Sequence, residues 1–137
     1  CTWTNPNREF LTESLYQAFL AYGNPKAIMV MVAPKERNVV DQWAPAKELL
    51  KKGIRVKRFC FEELAQSMVF DDTTGLVSMY GEEIAFFYFR SGYMPDQYNE
   101  AAWKVREIME CSQAIKCPDV TLQLINMKYF QYVINFP

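Results

Sequence analysis

Apolar and polar positions divide the chain into helical and extended segments. From Asn7 to Tyr22, Leu11, Leu15, Ala18, Phe19 and Tyr22 fall at helical spacing and predict one amphipathic helix. Gly23 supplies a C-cap, and Asn24-Pro25 ends the segment. Ala27 to Ala33 is apolar at every position, the pattern of a strand buried on both faces. After the polar turn Pro34 to Asn38, a second helix is predicted to about Lys52. Val39, Trp43, Ala46, Leu49 and Leu50 lie on its apolar face. Asn38 is the expected N-cap, with Asp41 returning three residues later. Pro45 cannot donate an interior hydrogen bond, so a kink or a restart is expected there. Ile54 to Phe59 alternates apolar and basic, as a half-exposed strand does. Phe61 to Met68 reads as a short helix and Asp71 to Gly75 as a turn. Leu76 to Tyr80 and Glu83 to Arg90 predict a hairpin around Gly81, whose second arm should be central in the sheet. A helix from about Asn99 to Gln113 should bury Ala102, Val105, Ile108, Met109 and Ser112. Val120 to Leu124 is expected as a short strand, and Lys128 to Ile134 as a helix.

Helices that alternate with apolar strands predict an α/β fold with a mostly parallel sheet covered on both faces. The 137 residues make one domain, and an apolar fraction of 50% allows it a core. Fifteen Lys and Arg against sixteen Asp and Glu leave a net charge of −1, so neither a nucleic-acid nor a membrane partner is expected. The basic stretch Lys51 to Arg58 reads as a solvated helix end and strand. The longest apolar runs are too short to span a bilayer.

The chain has no histidine, which excludes Ser-His-Asp and Cys-His nucleophiles and His-based metal sites within it. No catalytic or metal-ligating residue is predicted here. Cys1, Cys60, Cys111 and Cys117 form no C-x-x-C pair and read as reduced thiols, with a cytoplasmic location expected. The five glycines are never close together, so no phosphate-cradling loop is present. The chain opens without Met, as a processed protein or an excised piece would.

Ligands of such sheets bind beyond the carboxyl ends of the strands. Two polar segments stand there: Lys35 to Gln42 after the first strand, and Arg90 to Pro95 after the central one. If those strands are neighbours, Glu36, Asn38, Gln42, Arg90 and Tyr93 could converge. The set offers an anion for an ammonium, a guanidinium for a carboxylate and amides for orientation, which suits an amino-acid-like ligand. Each residue also has a structural reading: Asn38 as a cap, Glu36 and Arg37 as a solvated pair, Arg90 in a structural ion pair, Gly92 as a turn.

Three segments carry a resemblance. Lys35-Glu-Arg-Asn-Val-Val-Asp-Gln42, Tyr88-Phe-Arg-Ser-Gly-Tyr-Met-Pro-Asp-Gln-Tyr98 and Ala114-Ile-Lys-Cys-Pro-Asp119 resemble, in order and spacing, motifs of eukaryotic glutathione synthetase. The resemblance implies a Rossmann-like three-layer α/β/α substrate-binding domain, residues 1–137, cut from a longer ATP-grasp ligase. That ligase joins γ-glutamylcysteine to glycine with ATP and magnesium, both bound outside this chain. Glu36, Arg37, Asn38 and Gln42 match one substrate segment. Arg90, Ser91, Gly92 and Tyr93 match the other. Lys128 falls where the family has a nucleotide-contacting lysine. The family has Asp at the position of Ser91, a basic residue at Asp96, and Gly-Thr at Asn126-Met127. The implied partners are γ-glutamylcysteine or glutathione and the remainder of the ligase, with a homodimeric parent. The isolated chain is expected to be inactive. A non-catalytic module that holds a small peptide or a protein, and a mainly structural unit, are the alternatives.

Overall fold

The computed structural model describes residues 6–34 and 40–135. Six helices and six strands run in the order α1 (Asn7–Tyr22), β1 (Ile28–Val32), α2 (Val40–Lys51), β2 (Val56–Phe59), α3 (Phe61–Ser67), β3 (Met68–Asp71), β4 (Leu76–Met79), β5 (Glu82–Phe89), α4 (Glu100–Cys111), β6 (Ile115–Cys117), α5 (Val120–Ile125) and α6 (Lys128–Asn135). The sheet order is β2-β1-β5-β4-β3, with β6 also on β5. Strands β2, β1, β5 and β6 are mutually parallel, and the β3–β4–β5 meander is antiparallel.

Strand β5 is central, as its unbroken apolar pattern predicts. One of its edges pairs with β1. The other is shared: β4 pairs at Glu82 and Glu83, and β6 takes over at Phe86 to Tyr88. Gln113 joins the two by donating from its backbone to Gly75 and from its side chain to Thr74. The β4–β5 connection is a two-residue turn, Tyr80-Gly81, with both φ angles positive (52° and 78°). That conformation matches the strand twist and suits glycine at its second position.

Two apolar layers enclose the sheet. On one face Leu15 and Phe19 of α1 and Ala46 and Leu49 of α2 pack on Met29, Met31, Phe86 and Tyr88. On the other, Phe61 and Leu64 of α3 and Ala102, Val105 and Met109 of α4 pack on Ile28, Val30, Val32, Phe87 and Phe89. The register between β1 and β5 slips after Ile28–Ile84, so that Met29 faces Phe86. Ala85 is the extra residue of this bulge, and both Ala85 and Phe86 join the α1–α2 layer. The arrangement is the three-layer α/β/α fold expected from the sequence.

Several elements differ from expectation. Helix α2 runs unbroken through Pro45 and does not restart there. Val120 to Leu124 is helical, not extended: Asp119 caps α5 by accepting from the Leu122 backbone at 2.7 Å. Strand β3 begins where the short helix was expected to end, and Ile115–Cys117 pairs as β6. Leu11, Trp43 and Leu50 are exposed, Ile108 is only partly buried, and Arg106 is buried in α4. The expected N-cap Asn38 lies outside the described residues. Among the described residues no helix is long and apolar enough to cross a membrane.

Candidate functional site

Chain direction places a crevice at the carboxyl ends of β1 and β5. After β1 the chain crosses by α2 to β2. After β5 it crosses by α4, on the opposite face, to β6. The strand order therefore reverses between β1 and β5, the position where open α/β sheets bind ligands. The Arg90 backbone donates to the Val32 carbonyl at 2.7 Å, so the two strands leave the sheet side by side.

The pleat then separates the candidate residues. Arg90 follows Tyr88 toward the α1–α2 face, and Ser91 follows Phe89 toward the α3–α4 face. Arg90 is exposed, and its guanidinium has no hydrogen-bond or ion-pair partner among the described residues. Its charge acts on the Tyr93 hydroxyl, favouring ionisation. Burial outweighs it and pushes the Tyr93 phenol up. The Tyr93 hydroxyl donates to the Phe89 carbonyl at 2.6 Å, leaving its oxygen free to accept. Burial likewise raises the Cys117 thiol, half-buried in β6 opposite Tyr88. Gln42, in the first turn of α2, is buried. Glu36, Arg37 and Asn38 lie outside the described residues.

Ser91 lines a separate cleft of about 450 Å³ with Ala33, Pro34, Cys60, Phe61, Glu62, Asp96, Gln97 and Asn99. A neighbouring cleft of about 470 Å³ shares Ala33, Pro34 and Cys60 and continues past Trp43 and Arg58. The described members of the predicted substrate set, Gln42, Arg90, Ser91, Gly92 and Tyr93, thus stand at one end of the sheet but on two sides of it.

The loop beyond Arg90 is held by residues the sequence reading did not single out. Gln97 Oε1 accepts from three consecutive backbone N–H groups, at 2.8 Å from Gly92, 2.8 Å from Tyr93 and 3.3 Å from Met94. The Gly92 carbonyl accepts from the Tyr98 hydroxyl at 3.0 Å and from Gln123 of α5. Tyr98 stacks on Trp103 with centroids 4.1 Å apart and lies 5.1 Å from the Phe61 ring. Gly92 has φ +82°, and a Cβ there would stand 2.4 Å from Tyr98 Oη. Only glycine fits both constraints. Gln97 and Tyr98 belong to the second sequence motif, which was the available signal. Gln123 and Arg106 lie outside the three motifs.

Lys128 is exposed at the start of α6. Among the described residues no three His, Cys, Asp or Glu side chains come together to hold a metal ion.

A sequence profile of eukaryotic glutathione synthase matches residues 26–125. Glutathione synthetase of Homo sapiens is 40% identical over 134 residues, which are 97% of this chain and 28% of that protein. The chloroplastic glutathione synthetase of Arabidopsis thaliana is 35% identical over 129 residues, 91% of this chain and 24% of that protein. A solved structure of a glutathione synthetase-like effector from Globodera pallida, in its apo form, superposes with a TM-score of 0.77. It covers 98% of this chain and 32% of the other, at 18% identity, and shows the likeness of fold. The chain spans about a quarter of the length of these curated relatives. With the profile covering most of the chain and identities reaching 40%, the chain belongs to the eukaryotic glutathione synthase family.

Proposed function

We propose that residues 1–137 form the substrate-binding domain of a glutathione synthetase and hold γ-glutamylcysteine at the carboxyl ends of β1 and β5. The observation that carries this reading is Arg90, a guanidinium with no partner among the described residues, at the end of the central strand and set where the strand order reverses. In this reading Arg90 pairs with a carboxylate of the dipeptide. Glu36 takes the glutamyl ammonium, with Arg37 beside it. Asn38 and Gln42 orient the ligand through their amides. Tyr93 offers the free face of its hydroxyl oxygen, and Ser91 and Gly92 shape the adjoining backbone. Binding and orientation are the whole contribution of this domain, because ligation is a matter of placing groups around the transferring centres.

The ATP-dependent joining to glycine, with magnesium, belongs to the ATP-grasp remainder of the parent. Lys128 would meet the nucleotide only where that remainder completes the site. The remainder would also cover the apolar side chains that α5 and α6 leave exposed, among them Leu122, Ile125, Phe130, Val133 and Ile134. The parent is then a homodimeric cytoplasmic ligase, and the isolated chain is inactive.

The test titrates γ-glutamylcysteine into the full-length parent, with and without Arg90→Ala. Loss of a charge-assisted contact should weaken binding by roughly 1.5–3 kcal/mol, about ten- to a hundredfold. Unchanged affinity overturns the role of Arg90. Dipeptide binding by the parent without glycine-dependent ATP turnover would favour the alternative, a non-catalytic peptide-binding module.

A further inference from the structure

Arg106 is the buried charged residue among those described, at 4% exposure on the inner face of α4. A buried guanidinium is tolerated only when its donors are satisfied, and an apolar side chain of similar size commonly packs as well. Its position therefore calls for a reason beyond stability.

Its partners supply one. Nε donates to Glu110 at 2.7 Å within α4, and the guanidinium lies 4.0 Å from the centre of the Phe89 ring at the end of β5. One terminal nitrogen donates to the Pro118 carbonyl at 3.2 Å. The other reaches the Tyr98 hydroxyl at 3.5 Å, and that hydroxyl donates to the Gly92 carbonyl. Pro118 leads directly into α5, whose Gln123 donates to the same Gly92 carbonyl. The contacts close a ring: Arg106, Tyr98, Gly92, Gln123, α5, Pro118 and back to Arg106. A planar fork with fixed donor directions can hold three such partners at once; a lysine ammonium on a flexible stem holds them less well.

We propose that Arg106 is a positioning residue for the substrate site. Through Tyr98 and Pro118 it keeps the Arg90–Tyr93 loop and α5 in one register, and so sets the direction in which Arg90 meets a ligand carboxylate. Arg106 itself touches no ligand. The proposal rests on the reading that Arg90 binds the dipeptide.

The experiment uses the full-length parent and measures KM for γ-glutamylcysteine and for ATP, with melting temperature alongside. Tyr98→Phe keeps the ring that stacks on Trp103 and removes only the hydroxyl link. It should raise the dipeptide KM roughly three- to tenfold and leave the ATP KM and the melting temperature nearly unchanged. Arg106→Met should raise the dipeptide KM about tenfold or more, with Arg106→Lys between it and wild type. The double variant should bind the dipeptide no worse than Arg106→Met alone, because the two residues act in series. A merely structural role would move both KM values together or neither. Arg90→Ala is the control. If it raises the dipeptide KM and Tyr98→Phe and Arg106→Met do not, the positioning role is overturned. If Arg90→Ala also has no effect, the substrate reading fails and takes the proposal with it. If Arg106→Met does not fold, Tyr98→Phe decides alone.

Discussion

At the amino ends of β1, β2 and β5, Glu82 accepts from both Arg55 and Lys57, Arg55 also donates to the Lys26 carbonyl, and the Tyr22 hydroxyl donates to Glu83 at 2.7 Å. Burial and the neighbouring Glu83 carboxylate push the Tyr22 phenol far up. At the carboxyl ends the arrangement is reversed. The backbone of the Arg90–Tyr98 loop is held by Gln97, Tyr98 and Gln123, while the Arg90 charge has no partner among the described residues. Charge is cancelled where the fold needs only stability. At the other end rigidity comes from the backbone, and the side chain stays available. A site that is to bind an ion gains from this division, because little ordering remains to be done when the ligand arrives.

The comparison breaks most sharply at Gly92. A methyl group there meets Tyr98 Oη at 2.4 Å and the Phe61 ring at 3.1 Å, on a backbone that L side chains rarely adopt. Gly92→Ala should cost about 2–4 kcal/mol of stability in urea unfolding and weaken ligand binding as the loop shifts. Tyr98→Phe in the same chain removes the nearest atom and should recover part of the loss. An unfolding midpoint equal to wild type would mean that the loop is not held by close packing.

A smaller effect separates the two ends by charge. Glu82→Gln leaves both Arg55 and Lys57 without their carboxylate, so thermal stability should fall, and the fall should shrink as salt is added. Arg90→Gln removes a charge with no partner among the described residues and should leave the melting temperature unchanged at any salt concentration. Equal losses from the two variants would show that Arg90 is structural after all.

Much of this was legible in the sequence where pattern and punctuation agree. Helix α1 spans Asn7–Tyr22 as read, because helical spacing and the Gly23 cap point the same way. Strands β1 and β5 were legible as uninterrupted apolar runs; the Arg90 segment was a candidate because it directly follows the central strand, and the pairing of β1 with β5 supplies the adjacency that the sequence left as a condition. Val120 to Leu124 misled because V-T-L-Q-L alternates like a strand, whereas the segment opens with Asp119 as an N-cap accepting from the Leu122 backbone, the start of a helix. Strand β3, four residues long, had too little length for alternation to stand out from the helix before it. Arg106 was hidden by its residue type. It lies four residues after Ala102 and three before Met109, on the buried stripe of α4, but a lone arginine in an amphipathic helix reads as solvent-facing until its partners are seen. Glu110, four residues on, was the one local hint.

The smallest expected effect tests whether charge away from the carboxyl end serves the fold alone. Asp71 caps the β3–β4 turn: its carboxylate accepts from the Thr74 hydroxyl at 2.7 Å and from the backbone of Thr73 at 2.9 Å and Thr74 at 3.3 Å. These bonds, that from the Thr74 hydroxyl first, hold the carboxyl below its ordinary value of 3.8. A carboxyl depressed in the folded state stabilises it fully above the unfolded value, and that stabilisation is lost as pH falls through the folded one. The stability advantage of wild type over Asp71→Asn should therefore be constant above about pH 5 and shrink below about pH 4. Melting temperatures of the two proteins across that range measure it. A difference that stays constant into strong acid would show that the turn does not depend on the ionised carboxylate. Acid should thus weaken the cap at Asp71.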